Sequence, residues 1–337
     1  MKKVGLFIRD DYYRKSGFSA EEIIEAAVLG EKHGFESVWL NEDIGRDALT
    51  LLGAIALRTN RVFLGTAIVN VYARSPTQIA MGFATLDEIS GGRAIIGLGV
   101  GHLKSVQLGH GIPLKKPVER TREYVEIIKR VISGADYAFN GYFFQGMKSR
   151  LIFSHPREHI PIYIAGHQQR MVQLAGEVAD GLIVNVVPPN YLRKEVLEQL
   201  KVGSERVGRD VKELDVACVI SCCVSNERIV ALNWAKELLV KRYLWNPSVC
   251  KVLSYSGFEK EVASVKALLL SGREEEAVEA VDEKMVKEVI NAGTPSEVKN
   301  RLDEYRSAGA KTLLLAAYPQ GITRVKALID SIYPLKA

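Results

Sequence analysis

The chain has 337 residues, 45 basic and 40 acidic, and its net charge of +5 is spread along the whole length, so charge marks no nucleic-acid face. The length exceeds that of a usual small domain, yet one α/β barrel with insertions accommodates it as a single domain over 1–337. Met1-Lys2-Lys3 runs straight into Val4-Gly5-Leu6-Phe7-Ile8, too short for a signal-peptide core or a bilayer span, so a soluble cytoplasmic protein with no membrane partner is expected.

In chain order, eight runs have the composition of strands covered on both faces: 3–8, 37–40, 62–69, 94–98, 161–165, 181–185, 214–224 and 312–317. Helix patterns lie between them. Ser19 with Glu22 forms a capping box for a helix that Gly34 closes. Ser75-Pro76-Thr77-Gln78 opens another that stops at Gly91-Gly92, with proline at the first helical position, where no amide proton is needed. Val125, Ile128 and Ile132 give an apolar stripe before Gly134, and Thr294-Pro295-Ser296-Glu297 starts a helix carried by Val298, Leu302 and Tyr305. Strand and helix alternating about eight times predict a (β/α)₈ TIM barrel. An open doubly wound sheet is the competing reading, and the eight strands favour closure.

Two connections are too long for simple links, at about 135–160 and 225–292, and both are expected to serve function or assembly and to help cover the substrate. Cys218, Cys222, Cys223 and Cys250 form no Cys-x-x-Cys pair, and the six histidines show no metal-ligand spacing, so reduced thiols and no metal are expected.

The stretch 62–102 reads as strand, helix and strand, with polar residues and glycines at the carboxyl ends of both strands, where parallel α/β folds place ligands. Gly97, Gly99 and Gly101 do not make a Gly-x-Gly-x-x-Gly, because residue 102 is histidine, which disfavours a nicotinamide-binding Rossmann fold. They are expected instead to let backbone approach a flat cofactor, with simple packing as the alternative for Gly97. Gly166-His167-Gln168-Gln169 opens a helix directly after the fifth strand. Free amides and the positive helix end make this the expected phosphate site, against an ordinary turn.

Several motifs recur in order along nearly the whole chain: Gly34-Phe35-Glu36-Ser37-Val38-Trp39, Asn70-x-Tyr72-x-Arg74-Ser75-Pro76, and the run from Thr85 to Arg93 leading into Gly97-Leu98-Gly99-Val100-Gly101. Further on come Pro161-Ile162-Tyr163-Ile164-Ala165-Gly166 and Ala175-Gly176-Glu177-Val178-Ala179-Asp180-Gly181. Together they resemble the bacterial-luciferase-like superfamily, within it the branch using the deazaflavin coenzyme F420, and above all the methylenetetrahydromethanopterin reductases. The resemblance implies a homodimer of barrels whose deazaflavin lies across the carboxyl ends of the strands. It also implies a bulge with a cis non-prolyl peptide at Ala67-Ile68 behind the ring.

By the same resemblance Glu42 takes an acidic position near the deazaflavin, and Asp43 falls where relatives often carry a catalytic histidine. His102 falls where they carry an acid, so carboxylate and imidazole exchange places. The pair could still handle a proton between them, whereas the bland reading makes Asp43 a turn cap and His102 a backbone partner. Cofactor contacts are expected from Ala67, Ile68, Asn70, Gly99, Gly101, Ala165, Gly166, His167, Gln168 and Asn185, with turn formation as the alternative for both asparagines. Lys287 aligns loosely with a phosphate-holding residue of some relatives and reads better as a solvated lysine. The implied activity is hydride transfer between F420 and a small organic substrate, with methylenetetrahydromethanopterin as one candidate. An FMN-dependent monooxygenase and a non-catalytic flavin-binding or sensor protein are the rival readings.

Overall fold

The computed structural model describes residues 3–9, 17–101 and 105–333. Its strands are β1 Lys3–Ile8, β2 Ser37–Leu40, β3 Phe63–Thr66 with its continuation β4 Val69–Asn70, β5 Ala94–Gly99, β6 Ile162–Ala165, β7 Gly181–Asn185, β8 Asp215–Val224, β9 Asn291–Gly293 and β10 Thr312–Ala317. All pairings are parallel, and β10 bonds to both β1 and β8, which closes an eight-stranded barrel. The short β9 rides outside on the end of β8.

The helices before the sixth barrel strand's connection are α1 Ala20–Lys32, α2 Ala48–Ala56, α3 Pro76–Ser90, α4 Pro117–Ser133 and α5 Gln169–Val178. Then come α6 Pro189–Tyr191, α7 Leu197–Glu205, α8 Arg228–Lys241, α9 Pro247–Tyr255, α10 Glu259–Leu270, α11 Glu274–Glu279 and α12 Glu283–Val289, followed by α13 Pro295–Ser307 and α14 Ile322–Ile332. Reciprocal capping boxes at Ser19/Glu22, Ser75/Gln78 and Thr294/Glu297 start α1, α3 and α13, each satisfying two amides that the first helical turn leaves over. Among the described residues no helix is long and apolar enough to cross a membrane.

The 62–69 run is not one continuous strand. β3 pairs Gly65 with Ile95 and β4 pairs Val69 with Leu98, so four steps of one chain face three of the other, a surplus residue that makes a bulge. The Thr66 hydroxyl donates to the Gly97 carbonyl at 2.8 Å and accepts from the Gly97 amide at 3.1 Å, so a side chain replaces the lost ladder. The Ala67–Ile68 peptide within the bulge is cis. An unbroken apolar run hides such a break, because hydrophobic period reports faces and not register against a neighbour.

Three apolar clusters follow from this layout. The largest lies between strands and outer helices, and a second fills the barrel with Phe7, Trp39, Ile95, Tyr163, Ile183 and their neighbours. The third belongs to α8–α12 and touches the barrel through Val186 and Cys223. The Thr85-to-Arg93 motif is a structural staple. Buried Asp87 accepts from the Ala94 amide at 3.0 Å and from the Arg157 guanidinium. Arg93 donates to the carbonyls of Ala56, Thr59, Val62 and Ser90, tying the ends of α2 and α3 to β3. Hydrogen bonds from a charged donor contribute about 1.5–3 kcal/mol each, enough to offset burial of the guanidinium.

Candidate functional site

A cavity of about 490 Å³ opens at the carboxyl ends of β2 and β3. Asn41, Glu42 and Asp43 form one wall, Ala67, Ile68 and Asn70 a second, and Arg46, Arg74, Gly101 and His110 are among the other lining residues. Alternation along each strand explains the lining: Trp39 and Gly65 point into the barrel, so Asn41 and Ala67, two residues on, face its mouth. The bulge adds Ile68 to that face.

Glu42 is heavily engaged. Its carboxylate accepts from Arg74 Nε at 3.0 Å and Nη2 at 2.8 Å, and from the Ala48 amide at 3.2 Å. The same guanidinium reaches Asp47, the cap of α2, whose carboxylate also accepts from the Thr50 amide at 2.8 Å. The hydrogen bond to Glu42 is the chief reason that Arg74 is raised above its ordinary value. Burial pushes Asp47 up, but bonds from Thr50 and Arg74 outweigh it and hold the carboxyl below its usual range. Glu42 therefore serves as a bidentate anchor for the Asn70–Arg74 turn. Asp43, half-buried beside it, has no hydrogen-bond partner for its carboxylate among the described residues. His102 lies outside the described residues, and the histidine that lines the cavity with Asp43 is His110.

Asn70 takes the turn-forming role: its Oδ1 accepts from the Tyr72 amide at 2.7 Å. The glycines that end β5 make room for protein. A β-carbon on Gly97 would overlap the Thr66 carbonyl, one on Gly99 would lie 2.7 Å from Ile68, and one on Gly101, whose φ is +66°, would strike the Asn70 amide. Their smallness thus seats the bulge, and Ile68, Gly99 and Ala165 become neighbours that extend an apolar floor from β4 to β6.

Farther round the mouth, Gly166 follows β6 and its amide donates to Ile183 at 3.1 Å. The Gln168 side chain does not cap α5: the Met171 amide bonds the Gln168 carbonyl at 3.0 Å, the Gln169 and Arg170 amides have no partner among the described residues, and Asn185 is exposed at the end of β7. His167 is half-buried, and burial, reinforced by the nearby Lys251 charge, holds it below the ordinary histidine value, so it is neutral at pH 7. Lys287 pairs with Glu283 at 2.6 Å on the surface of α12.

Arg74, His110 and Lys251 carried no assigned role in the sequence reading. Arg74 stands inside a motif, and an arginine facing two acids across a turn is a signal that could have been used. His110 and Lys251 arrive through a π-helical turn at Ser105–Gly109 and through α9, and no local spacing announces either.

Comparison with known proteins agrees with this geometry. Residues 4–312 match the family model described as luciferase-like monooxygenase. The 5,10-methylenetetrahydromethanopterin reductase of Methanolobus tindarius is 30% identical over 310 residues, covering 91% of this chain and 93% of its own. An F420-dependent glucose-6-phosphate dehydrogenase of Nakamurella multipartita is 32% identical over 229 residues, 64% of this chain and 67% of its own. Among solved structures, the coenzyme F420 dependent tetrahydromethanopterin reductase from Methanopyrus kandleri superposes with a TM-score of 0.87 at 24% identity, covering 98% of this chain and 97% of that one, a likeness of fold.

Proposed function

Because this chain belongs to the luciferase-like monooxygenase family, we propose that it is a coenzyme F420-dependent oxidoreductase that moves hydride to or from a small organic substrate at the barrel mouth. The observation that carries this reading is the bulged floor of Ala67, Ile68, Gly99 and Ala165 beside the acidic wall at Asp43. An apolar floor suits a tricyclic ring. Open amides at the start of α5, with Lys251 near His167, suit the phosphate of its tail.

Bound there, the deazaflavin supplies the ring carbon that gives or accepts hydride. Everything else falls to side chains. Ile68 and Ala165 keep water from one ring face, and Glu42 holds the 70–74 turn in place through Arg74. Asp43 takes or returns the proton that accompanies hydride at the substrate, with His110 as an imidazole lining the same cavity. Methylenetetrahydromethanopterin is one substrate consistent with the relatives, whose own names span a pterin and a sugar phosphate.

The family description itself favours one second reading, an FMN-dependent monooxygenase using the same floor. Fluorescence titration of the purified protein with each cofactor separates the two. F420 binding supports our reading, and FMN binding without F420 binding overturns it.

A homodimer is part of the proposal. α2 has no charged residue, and Leu57 just after it, with Met81 and Ile89 on α3, leaves large apolar side chains 46–76% exposed. Such a face fits an isologous contact. Light scattering should give twice the chain mass, and Met81→Glu should return it to one; a monomeric wild type contradicts this part.

A further inference from the structure

We propose that Arg9, Ser221 and Tyr243 form a subsite for an oxyanion of the substrate, a carboxylate or a phosphate, across the barrel mouth from the bulged floor. This rests on reading the mouth as the hydride-transfer site and adds a substrate class to it.

The placement follows from alternation along two strands. On β8, Ala217 and Val219 belong to the cluster inside the barrel, so Ser221 is the next inward residue toward the carboxyl end. On β1, Phe7 belongs to the same cluster and Arg9 follows it inward. β10 lies between these strands, and its inward residue at that level, Ala316, pairs in register with Ser221. The inward side chain of β10 at that level is a methyl group, and the Arg9 side chain crosses β10 to reach Ser221. Arg9 Nη1 donates to Ser221 Oγ at 3.4 Å and to Tyr243 OH at 3.1 Å, and the two hydroxyls are 2.5 Å apart. Tyr243 comes from the 3₁₀ turn Tyr243–Trp245 after α8, so the long insertion contributes to the cluster.

All three side chains are buried, at 3–6% exposure. The guanidinium also lies over the Phe7 ring, 5.3 Å from its centroid, and the Arg9 carbonyl accepts from Gln320 Nε2 at 3.2 Å, so the cation is held in one place. A guanidinium does not deprotonate in proteins, and its planar fork matches carboxylate and phosphate oxygens. The Ser221 and Tyr243 hydroxyls can each turn to donate to the same guest. In strand order β8, β10 and β1 are contiguous and stand opposite β3 and β5, which carry the bulge. An anion held at Arg9 would therefore direct the remainder of a substrate across the mouth toward the cofactor floor.

The test titrates inorganic phosphate and, separately, acetate into the full-length protein at constant ionic strength, with and without saturating F420, and reads thermal unfolding. The expected result is a saturable rise in melting temperature with at least one anion in the wild type. Arg9→Gln should weaken it at least tenfold and Tyr243→Phe by a smaller factor, with F420 affinity unchanged in both. Ser221→Ala, the mildest change, serves if Arg9→Gln does not fold. A phosphate-only or acetate-only response names the anion. Unaltered anion response in the variants, or none in a wild type that binds F420, overturns the subsite. Failure of F420 to bind overturns the proposed function instead, while the anion titration of the same protein still decides whether Arg9 holds an anion.

Discussion

The two ends of the barrel use the same residue types for opposite ends. At the amino-terminal end the interior is filled: Trp39 and Tyr163 meet edge to face with centroids 5.5 Å apart, and Gly5, Gly65 and Gly181 vacate the space that the rings occupy. Every ring heteroatom there is satisfied. Trp39 Nε1 donates to Ser37 at 2.8 Å, and Asp215 accepts from Tyr163, Thr312 and Lys3 at 3.0, 2.8 and 3.2 Å. At the carboxyl-terminal end glycines vacate space for a backbone bulge, and the inward residues become small or polar. Glycine at the base seats aromatic rings and closes the barrel, while glycine beneath the mouth seats the floor of a cavity. Changes at the base should therefore cost stability, and changes at the mouth should cost activity.

Asp43→Asn should show the largest effect and is the sharpest probe of this division. We expect turnover to fall about 10²–10⁴-fold, the usual contribution of a general acid–base group, with the melting temperature unchanged. A loss of stability of similar size in this variant would break the comparison. Gly97→Ala comes next, because the added carbon meets a backbone carbonyl that cannot rotate away. Its cost should be about 3 kcal/mol in urea unfolding, the upper end of overpacking, and it should also disturb cofactor affinity, since it displaces the bulge.

Gly65→Ala places a carbon 2.5 Å from the Trp39 ring, a side chain and not the backbone carbonyl that Gly97→Ala meets. About 1–2 kcal/mol of destabilisation is expected, with cofactor affinity retained; loss of affinity here would blur the two ends. The smallest effect is a pH dependence at the mouth. His167 titrates below its ordinary 6.5 in the folded protein, so the unfolded chain binds the proton more readily. Stability from this group is full above pH 6.5 and declines as pH falls from there toward the folded value. Urea midpoints across that window should fall toward acid in the wild type and fall less in His167→Gln.

Much of this division is legible in the sequence. Both-sided apolar runs and capping boxes located the strands and helices because those signals are local, as Ser75 with Gln78 illustrates. The bulge at Ala67-Ile68 was expected from the family resemblance and is present, but the apolar run 62–69 does not itself show the break, since its evidence is a mismatch of register with β5, thirty residues away. The family resemblance, joined by the strand-end rule for Asn70, led to Asp43, Glu42 and Asn70, all of which line the cavity. It could not say that Glu42 is held by Arg74, or that Asn70 spends its oxygen on the Tyr72 amide, because both depend on how the 70–74 turn folds back. Arg9 and Tyr243, 234 positions apart, meet only once the barrel closes and α8 has ended above β8.

Cofactor choice tests the central claim most directly. Purified protein titrated with coenzyme F420 and with FMN should quench F420 fluorescence saturably and leave FMN fluorescence unchanged. Saturable FMN binding with no response to F420 would contradict the account.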